Sequence, residues 1–179
     1  MEWTGIQNGL FTDFYVSPKV KSYLDPFDMV LDIRANAAAI PGTGDEPVVF
    51  THTFDVAKYV AELVSSKQQW SEKSIIAGDK ITWNEFVQIA EQVRGTKFNV
   101  TYDTIDTLKQ GKVTELPSHP QVYPFFPKEA LQGMLSSFGL AFAYGEFDLK
   151  VDSGNSLNER FPEIKPRTVK ELVQEAWGN

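Results

Sequence analysis

Two capping boxes set the register of two helices in this chain. Thr82 with Glu85, and Thr168 with Glu171, have the Thr-x-x-Glu spacing in which each side chain accepts a hydrogen bond from the other residue's backbone N–H. Apolar residues follow both boxes at intervals of three and four, which predicts one buried stripe on each helix. Gly95 is placed to end the first of these helices.

Three further segments have helical patterns. Asp55 is a good N-cap for a helix that ends near Ser66, because apolar residues follow it at i, i+3, i+4, i+7 and i+8. A longer helix is predicted over residues 127–142, with Pro127 suited to its first turn. A short helical turn is predicted over residues 104–110.

Five short segments, bounded by Gly, Pro or Asp, are predicted as strands: Trp3–Ile6, Met29–Arg34, Val48–Thr51, Ser74–Ala77 and Phe98–Tyr102. They are interspersed with the helices, which is typical of an α/β chain. A length of 179 residues is enough for one domain with one core. We therefore expect a single α/β domain over residues 1–179.

The composition limits which binding partners and which cellular compartment are expected. The formal net charge of −7, without a basic cluster, disfavours nucleic acid and anionic membranes as partners. Cysteine is absent, so disulfides and thiolate chemistry are excluded. No segment has the roughly 20 apolar residues of a membrane span, and the first residues lack a signal-peptide pattern. We expect a cytoplasmic protein, and some of its 13 Phe, 6 Tyr and 4 Trp rings are available to line a pocket.

One glycine-rich stretch was tested as a phosphate-binding loop. Such a loop follows a strand and opens a helix, so that backbone N–H groups meet the phosphates. Gly42-Thr43-Gly44 is followed by two acidic residues and Pro47, which would repel a phosphate and remove a donor. A hairpin turn is the better prediction. The sequence contains no GxGxxG, GxxxxGK[ST] or GxSxG motif.

Tyr15 and Lys19 have the YxxxK spacing of short-chain dehydrogenases. That chemistry requires both side chains on one face of an unbroken helix, and Pro18 lies between them. We interpret the match as chance.

Three side chains are candidates for acid–base catalysis outside that motif: Asp13, Tyr15 and His52. His52 follows a predicted strand, from whose end a side chain can face a crevice. The structural alternatives are a solvated or helix-dipole carboxylate at Asp13, a half-buried packing residue with a hydrated hydroxyl at Tyr15, and a hydrogen-bonded or half-exposed His52. His119 lies in a proline-rich loop and is expected at the surface. Two histidines are too few for a His-based metal site, so no metal is predicted.

An aromatic group in the second half of the chain has two interpretations. Its members are Tyr123, Phe125, Phe126, Phe138, Phe142 and Tyr144. They either line an apolar ligand pocket or belong to the hydrophobic core beneath a long loop. Tyr123, Phe125, Phe138 and Tyr144 are retained as candidate substrate-binding residues.

Four segments in order resemble fungal NmrA-like and isoflavone-reductase-like proteins, which are atypical short-chain dehydrogenases/reductases. They are the Trp-Thr-x-Ile-x-x-Gly-x-Phe-x-Asp stretch over residues 3–13, then 40–45, 50–61 and 70–85, and residues 161–172 also fit. The resemblance implies a C-terminal part of a Rossmann-like NAD(P)-binding fold with a small α+β substrate domain. It also implies that Asn8, Gly9 and Phe11 lie in a turn against substrate and nicotinamide.

The resemblance covers the later half of the family pattern. In full-length relatives NADP(H) is bound by a Gly-rich loop and early βαβ units that precede the position of Trp3. We therefore expect no cofactor on this chain alone and an absent N-terminal nucleotide-binding half.

Three hypotheses of function follow. The first is a truncated NAD(P)-dependent oxidoreductase homologue that binds a small apolar or aromatic metabolite. The second is a cofactor-independent isomerase or cyclase that uses the same pocket. The third is a regulatory or interaction protein, a homodimer or strand-pairing partner, in which the strand Trp3–Ile6 pairs with another chain.

Overall fold

The computed structural model describes residues 3–151 and 154–178. Short strands and helices alternate along the chain, as the α/β pattern predicts. The strands are β1 (Gly5–Gln7), β2 (Leu10–Phe11), β3 (Leu31–Asp32), β4 (Ala37–Pro41), β5 (Pro47–Thr51), β6 (Lys73–Ile75), β7 (Asp79–Thr82) and β8 (Asn99–Asp103). The helices are α1 (Asp13–Val16), α2 (Thr53–Ser65), α3 (Trp83–Arg94), α4 (Ile105–Lys109), α5 (Lys128–Ala143), α6 (Leu157–Arg160) and α7 (Val169–Trp177), with a 3-10 turn at His119–Gln121.

The described strands form three small sheets. β1 pairs with β6 in parallel. β5 lies between β2, which is parallel to it, and β7, which is antiparallel. β4 lies between the antiparallel β3 and the parallel β8. Mixed parallel and antiparallel pairing fits an α/β chain with a small α+β part.

Two hydrophobic clusters hold these sheets and helices together. The large core is centred on the rings of Phe50, Trp83 and Phe86 and collects side chains from β2, β5, α3, α5 and α7. The small core joins α2 and α6 behind β6, and it consists of Tyr59, Leu63, Ile76, Leu157 and Phe161, with Ile6, Val56, Trp70 and Ile164 packed against it. Since the aromatic rings mostly meet edge to face, they pack favourably in the large core.

The capping boxes are confirmed. Thr82 and Glu85 exchange both hydrogen bonds at the start of α3, and Thr168 and Glu171 do so before α7. Gly95 ends α3 in the left-handed conformation, at φ 66°. The helix predicted after Asp55 begins earlier, because the imidazole of His52 and not the carboxylate of Asp55 accepts the capping hydrogen bond, from the backbone of Phe54.

Other local predictions need correction. Gly42-Thr43-Gly44 does form a turn with both glycines at positive φ, but its flanking strands β4 and β5 belong to different sheets, so it is not a hairpin. Three strands were not predicted: β2, β4 and β7. The interpretation of the YxxxK spacing is supported, because α1 ends at Val16 and the ammonium of Lys19 lies over the Trp177 ring, 3.7 Å from its centre.

Candidate functional site

The turn at Asn8 and Gly9 is the point at which the first strand changes its partner. β1 lies beside β6, and after the turn β2 lies beside β5. Gly9 has φ 68°, and a Cβ there would lie 2.0 Å from the backbone oxygen of Val49, so only glycine fits. The side-chain amide of Asn8 donates to the carbonyl oxygen of Gly9 at 3.3 Å. The turn therefore stands at the carboxyl end of β1, where open α/β sheets bind ligands.

Asp13 is a fully buried acceptor just after this turn. Its Oδ1 accepts hydrogen bonds from the hydroxyls of Ser22 and Thr53, each at 2.5 Å. Its Oδ2 accepts from the backbone N–H of Thr53 at 2.9 Å. Because a buried carboxylate requires such donors, Asp13 joins α1 to the first residue of α2 and to the loop at Ser22.

His52 is fully buried beside Asp13 and caps α2. Its Nδ1 accepts from the backbone N–H of Phe54 at 3.2 Å and lies 3.1 Å from Nη2 of Arg167. Since both neighbours are donors, Nδ1 carries no proton and the ring proton is on Nε2, which lies 3.5 Å from Oδ1 of Asp13. Burial lowers the pKa of His52, against the opposing effect of Asp13, and Arg167 lowers it further.

Asp55 and Arg167 complete this arrangement, which we call the polar clasp: Asp13, His52, Asp55 and Arg167. Oδ2 of the fully buried Asp55 accepts from the backbone N–H of Arg167 at 3.0 Å, and its Oδ1 is 2.7 Å from the ammonium of Lys58. The clasp therefore fastens the segment that precedes α7 onto the start of α2 and onto α1.

The three candidate acid–base residues are all buried. Tyr15 packs against Trp83 and Phe86, as its packing alternative has it, and its hydroxyl has no hydrogen-bond partner among the described residues. Burial raises the pKa of Tyr15 well above its usual value. The expected hydration of the Tyr15 hydroxyl, a solvated Asp13 and a half-exposed His52 are wrong, whereas Asp13 does lie in the first turn of α1 and His52 is hydrogen-bonded as expected. Their catalytic role stays a prediction, and the geometry gives Asp13 and His52 a positioning role.

His119 is buried as well, which corrects the expectation of a surface residue. Its Nδ1 accepts from the backbone N–H of Leu116 at 3.2 Å, and its Nε2 lies 2.8 Å from the carbonyl oxygen of Asp28. Burial lowers its pKa. His119 thus ties the proline-rich loop to the segment that precedes β3.

Partly buried aromatic rings lie on both sides of Asp13, and we call Phe11, Phe14, Phe27 and Phe54 the aromatic rim. Phe14 meets Phe11 at 6.3 Å and Phe27 at 6.1 Å between ring centres, both edge to face. Phe54 stacks between the His52 ring and the exposed Tyr23. Of these four, sequence reasoning selected only Phe11. The signal for Phe14 and Phe54 is their closeness in sequence to Asp13 and His52, and Phe27 has no such signal.

The other predicted substrate-binding residues lie elsewhere. Tyr123 donates to Glu115 and has Lys128 over its ring. Phe125 is 89% exposed and Tyr144 is 56% exposed. Phe138 packs with Phe142 and Phe147 against the large core. No ring contact among the described residues joins Tyr123, Phe125 and Tyr144 to one another, so their shared pocket stays a prediction.

Residues 3–151 and 154–178 contain neither a metal-binding group nor a membrane-spanning helix. No group of three or more His, Cys, Asp or Glu side chains could hold a metal ion. No helix combines the length and the apolarity that crossing a membrane requires.

Comparison with known proteins places these features in a family. The model of the NmrA-like family matches residues 2–173. "Oxidoreductase swnN" of Metarhizium robertsii is 29% identical over 181 residues, covering 99% of this chain and 52% of the relative. The chain thus spans about half the length of the curated relatives it matches.

Solved structures agree on the fold. An isoflavone reductase superposes with a TM-score of 0.62 at 14% identity, covering 93% of this chain and 50% of that one. The complex of leucoanthocyanidin reductase with NADPH from Vitis vinifera has a TM-score of 0.64 at 17% identity, covering 96% and 53%. The fold is therefore the later part of a Rossmann-like NAD(P)-binding architecture with its small α+β part, and the chain belongs to the NmrA-like family.

Proposed function

We propose that this chain is the substrate-binding half of an NAD(P)-dependent oxidoreductase and that it binds a small apolar or aromatic metabolite at the aromatic rim. The observation that carries the proposal is the pair of partly exposed rings, Phe11 and Phe14, that follows the Gly9 turn at the carboxyl ends of β1 and β2. Apolar pockets with a few oriented polar groups are the usual form of a small-molecule site. Isoflavone reductase and leucoanthocyanidin reductase are named after polyphenolic compounds, which the rings of the rim suit.

The chain's own groups have defined tasks in this proposal. Phe11 and Phe14 bury the apolar face of the metabolite, and the Asn8 side chain, which is only partly buried, can hydrogen-bond to a carbonyl or hydroxyl group. The polar clasp holds α1, and therefore Phe14, in place. Asp13 and His52 are fully buried, and in the proposal they hold α1 and the start of α2 in position.

The described residues do not suit the diphosphate of NADP(H). Gly42-Thr43-Gly44 leads into β5 rather than into a helix, and Gly44 already packs against Ile40 and Asn84. In the proposal NADP(H) is held by a nucleotide-binding half, as in full-length relatives.

The outer edge of β1 is the proposed contact with that half. The N–H of Gly5 donates to Glu72, and the carbonyl of Gln7 accepts from Ile76, both on the β6 side. Since backbone groups alternate along a strand, the N–H and C=O of Ile6 point away from β6. Trp3, which is 62% exposed, precedes this edge. A parallel strand added here would satisfy the Ile6 groups, whether it came from a nucleotide-binding half or from a second copy.

The test is a calorimetric titration of the chain with the isoflavone genistein. We expect measurable binding that Phe11→Ala weakens about tenfold, because one buried ring contributes on the order of 1.4 kcal/mol or more. Phe125→Ala is the matched control, since it removes the same ring from an exposed loop. Absence of binding to the solubility limit, or an equal loss in both variants, would contradict the proposal.

A further inference from the structure

A second concave site lies away from the Gly9 turn. It is a cleft of about 320 Å³ between the segment that precedes β4 and the proline-rich loop. Phe27, Pro117 and Val122 form apolar parts of its wall, and Asp28, Asp32 and Arg34 supply its charges. This volume is at the lower end of small-molecule pockets, so the cleft suits a ligand of about one ring and a short side chain.

The two carboxylates of the cleft are not equivalent. Asp32 is buried, and both of its oxygens are occupied: Oδ1 accepts from the backbone N–H of Ala35 at 2.9 Å and Oδ2 from that of Ser118 at 3.0 Å. Asp32 therefore holds the walls together. Asp28 also lines the cleft and is only partly buried: its backbone oxygen lies 2.8 Å from Nε2 of His119, and its carboxylate interacts with the side chains of Ser118, Arg34 and Tyr15.

The ionised Asp28 carboxylate lowers the stability of the ligand-free protein. Burial and, to a lesser extent, the neighbouring Asp32 raise the pKa of Asp28 to about 6, although the Ser118 hydroxyl and the exposed Arg34 each oppose part of this shift. The folded chain therefore binds this proton more tightly than the unfolded chain, whose carboxyl has the ordinary value of 3.8. Stability linked to Asp28 consequently falls as the pH rises from about 4 to about 6 and stays lower above that.

We propose that this cleft binds a small organic cation, a primary or secondary amine with an apolar group, whose ammonium pairs with the Asp28 carboxylate. The apolar group lies against Phe27, Pro117 and Val122. A cation at Asp28 balances the two carboxylates of the cleft, which the exposed Arg34 offsets only in part. The cleft shares Phe27 with the aromatic rim, whereas Asn8, Gly9, Phe11 and Phe14 do not line it.

The experiment uses 2-phenylethylamine as the probe, with 2-phenylethanol and 3-phenylpropanoate as its neutral and anionic counterparts. Binding to the full chain is followed by amide NMR shifts of Phe27, Ala35, Gln121 and Val122 at about pH 7.5, where Asp28 is ionised. We expect the amine to bind about tenfold more tightly than the alcohol. Its affinity should fall as the pH drops through about 6, because the amine keeps its charge while Asp28 gains a proton.

Two variants make the test specific. Asp28→Asn should weaken amine binding about tenfold and at the same time raise the melting temperature above pH 6, because the buried charge is removed. Asp106→Asn removes an exposed carboxylate on α4 and should change neither property. The proposal is overturned if the alcohol or the anion binds these residues as well as the amine does. It is equally overturned if Asp28→Asn binds the amine normally, or if the shifts appear outside the cleft.

Discussion

The large core and the small core differ in how completely they are enclosed. In the large core β5 has a strand on each side, and α3, α5 and α7 contribute side chains to the cluster beside it. In the small core two parallel strands of three residues lie against α2 and α6, and the described residues pair β1 on one edge only. Parallel strands are normally buried with neighbours on both sides. The large core is therefore expected to fold as a self-sufficient unit, and the small core to depend on a partner strand.

The largest expected effect tests the large core. Phe86→Ala should lower the free energy of unfolding by about 4 kcal/mol, because the fully buried ring contacts Tyr15, Phe50 and Trp83 and its removal leaves a cavity. Urea-induced unfolding measures this loss of stability. Phe125→Ala is the control and should stay within about 0.5 kcal/mol. A loss below ~1 kcal/mol for Phe86→Ala would show that this core is not the principal source of stability.

A smaller and more local effect is expected in the small core. Leu157→Ala should cost about 2 kcal/mol by the same cavity argument, since Leu157 is buried in that cluster. Amide hydrogen exchange should accelerate in β1 and β6 while the amides of β5 and α3 stay protected, because the two clusters can open separately. Uniform acceleration in both regions would instead show that they unfold as one unit.

The smallest effect concerns the polar clasp, which joins the two regions. His52→Ala should cost about 1–2 kcal/mol through loss of the α2 cap, whereas His52→Asn keeps a capping oxygen and should cost less. The pKa of His52 is lowered in the folded state from 6.5, so its stabilising contribution is complete above pH 6.5 and declines as the pH falls below it.

The free energy of unfolding, measured between pH 8 and pH 5, tests the direction of this pH dependence. Part of the acid-side decline should disappear in His52→Asn, and the remainder includes His119, whose pKa is also lowered. An unchanged pH profile in His52→Asn would mean that His52 does not titrate with unfolding.

The predictions that succeeded depend on neighbours in sequence. A capping box requires two residues three apart, and both boxes formed with both hydrogen bonds. The short helix α4 was likewise predicted as a helical turn over residues 104–110, and Thr104 caps it. Gly9 was expected in a turn, and its φ of 68° agrees with that position.

The missed elements depend on distant partners. β4 begins with three alanines, which have low strand propensity, and it forms because β8, about 60 residues later, pairs along all five of its residues. β7 likewise becomes a strand by pairing with β5. Phe27 of the aromatic rim was missed for the same reason, since it meets Phe14 only after the chain has folded.

The sequence by itself determined the α/β class, the starts of α3 and α7, the turn at Gly9 and the resemblance to the NmrA-like family. Each of these follows from short-range hydrogen bonding, side-chain periodicity or residue order. Only the tertiary structure decided that Asp13, His52 and His119 are buried and that Asp28 faces a cleft. Burial and charge pairing are set by side chains that come from distant segments, and no local pattern records which segments will meet.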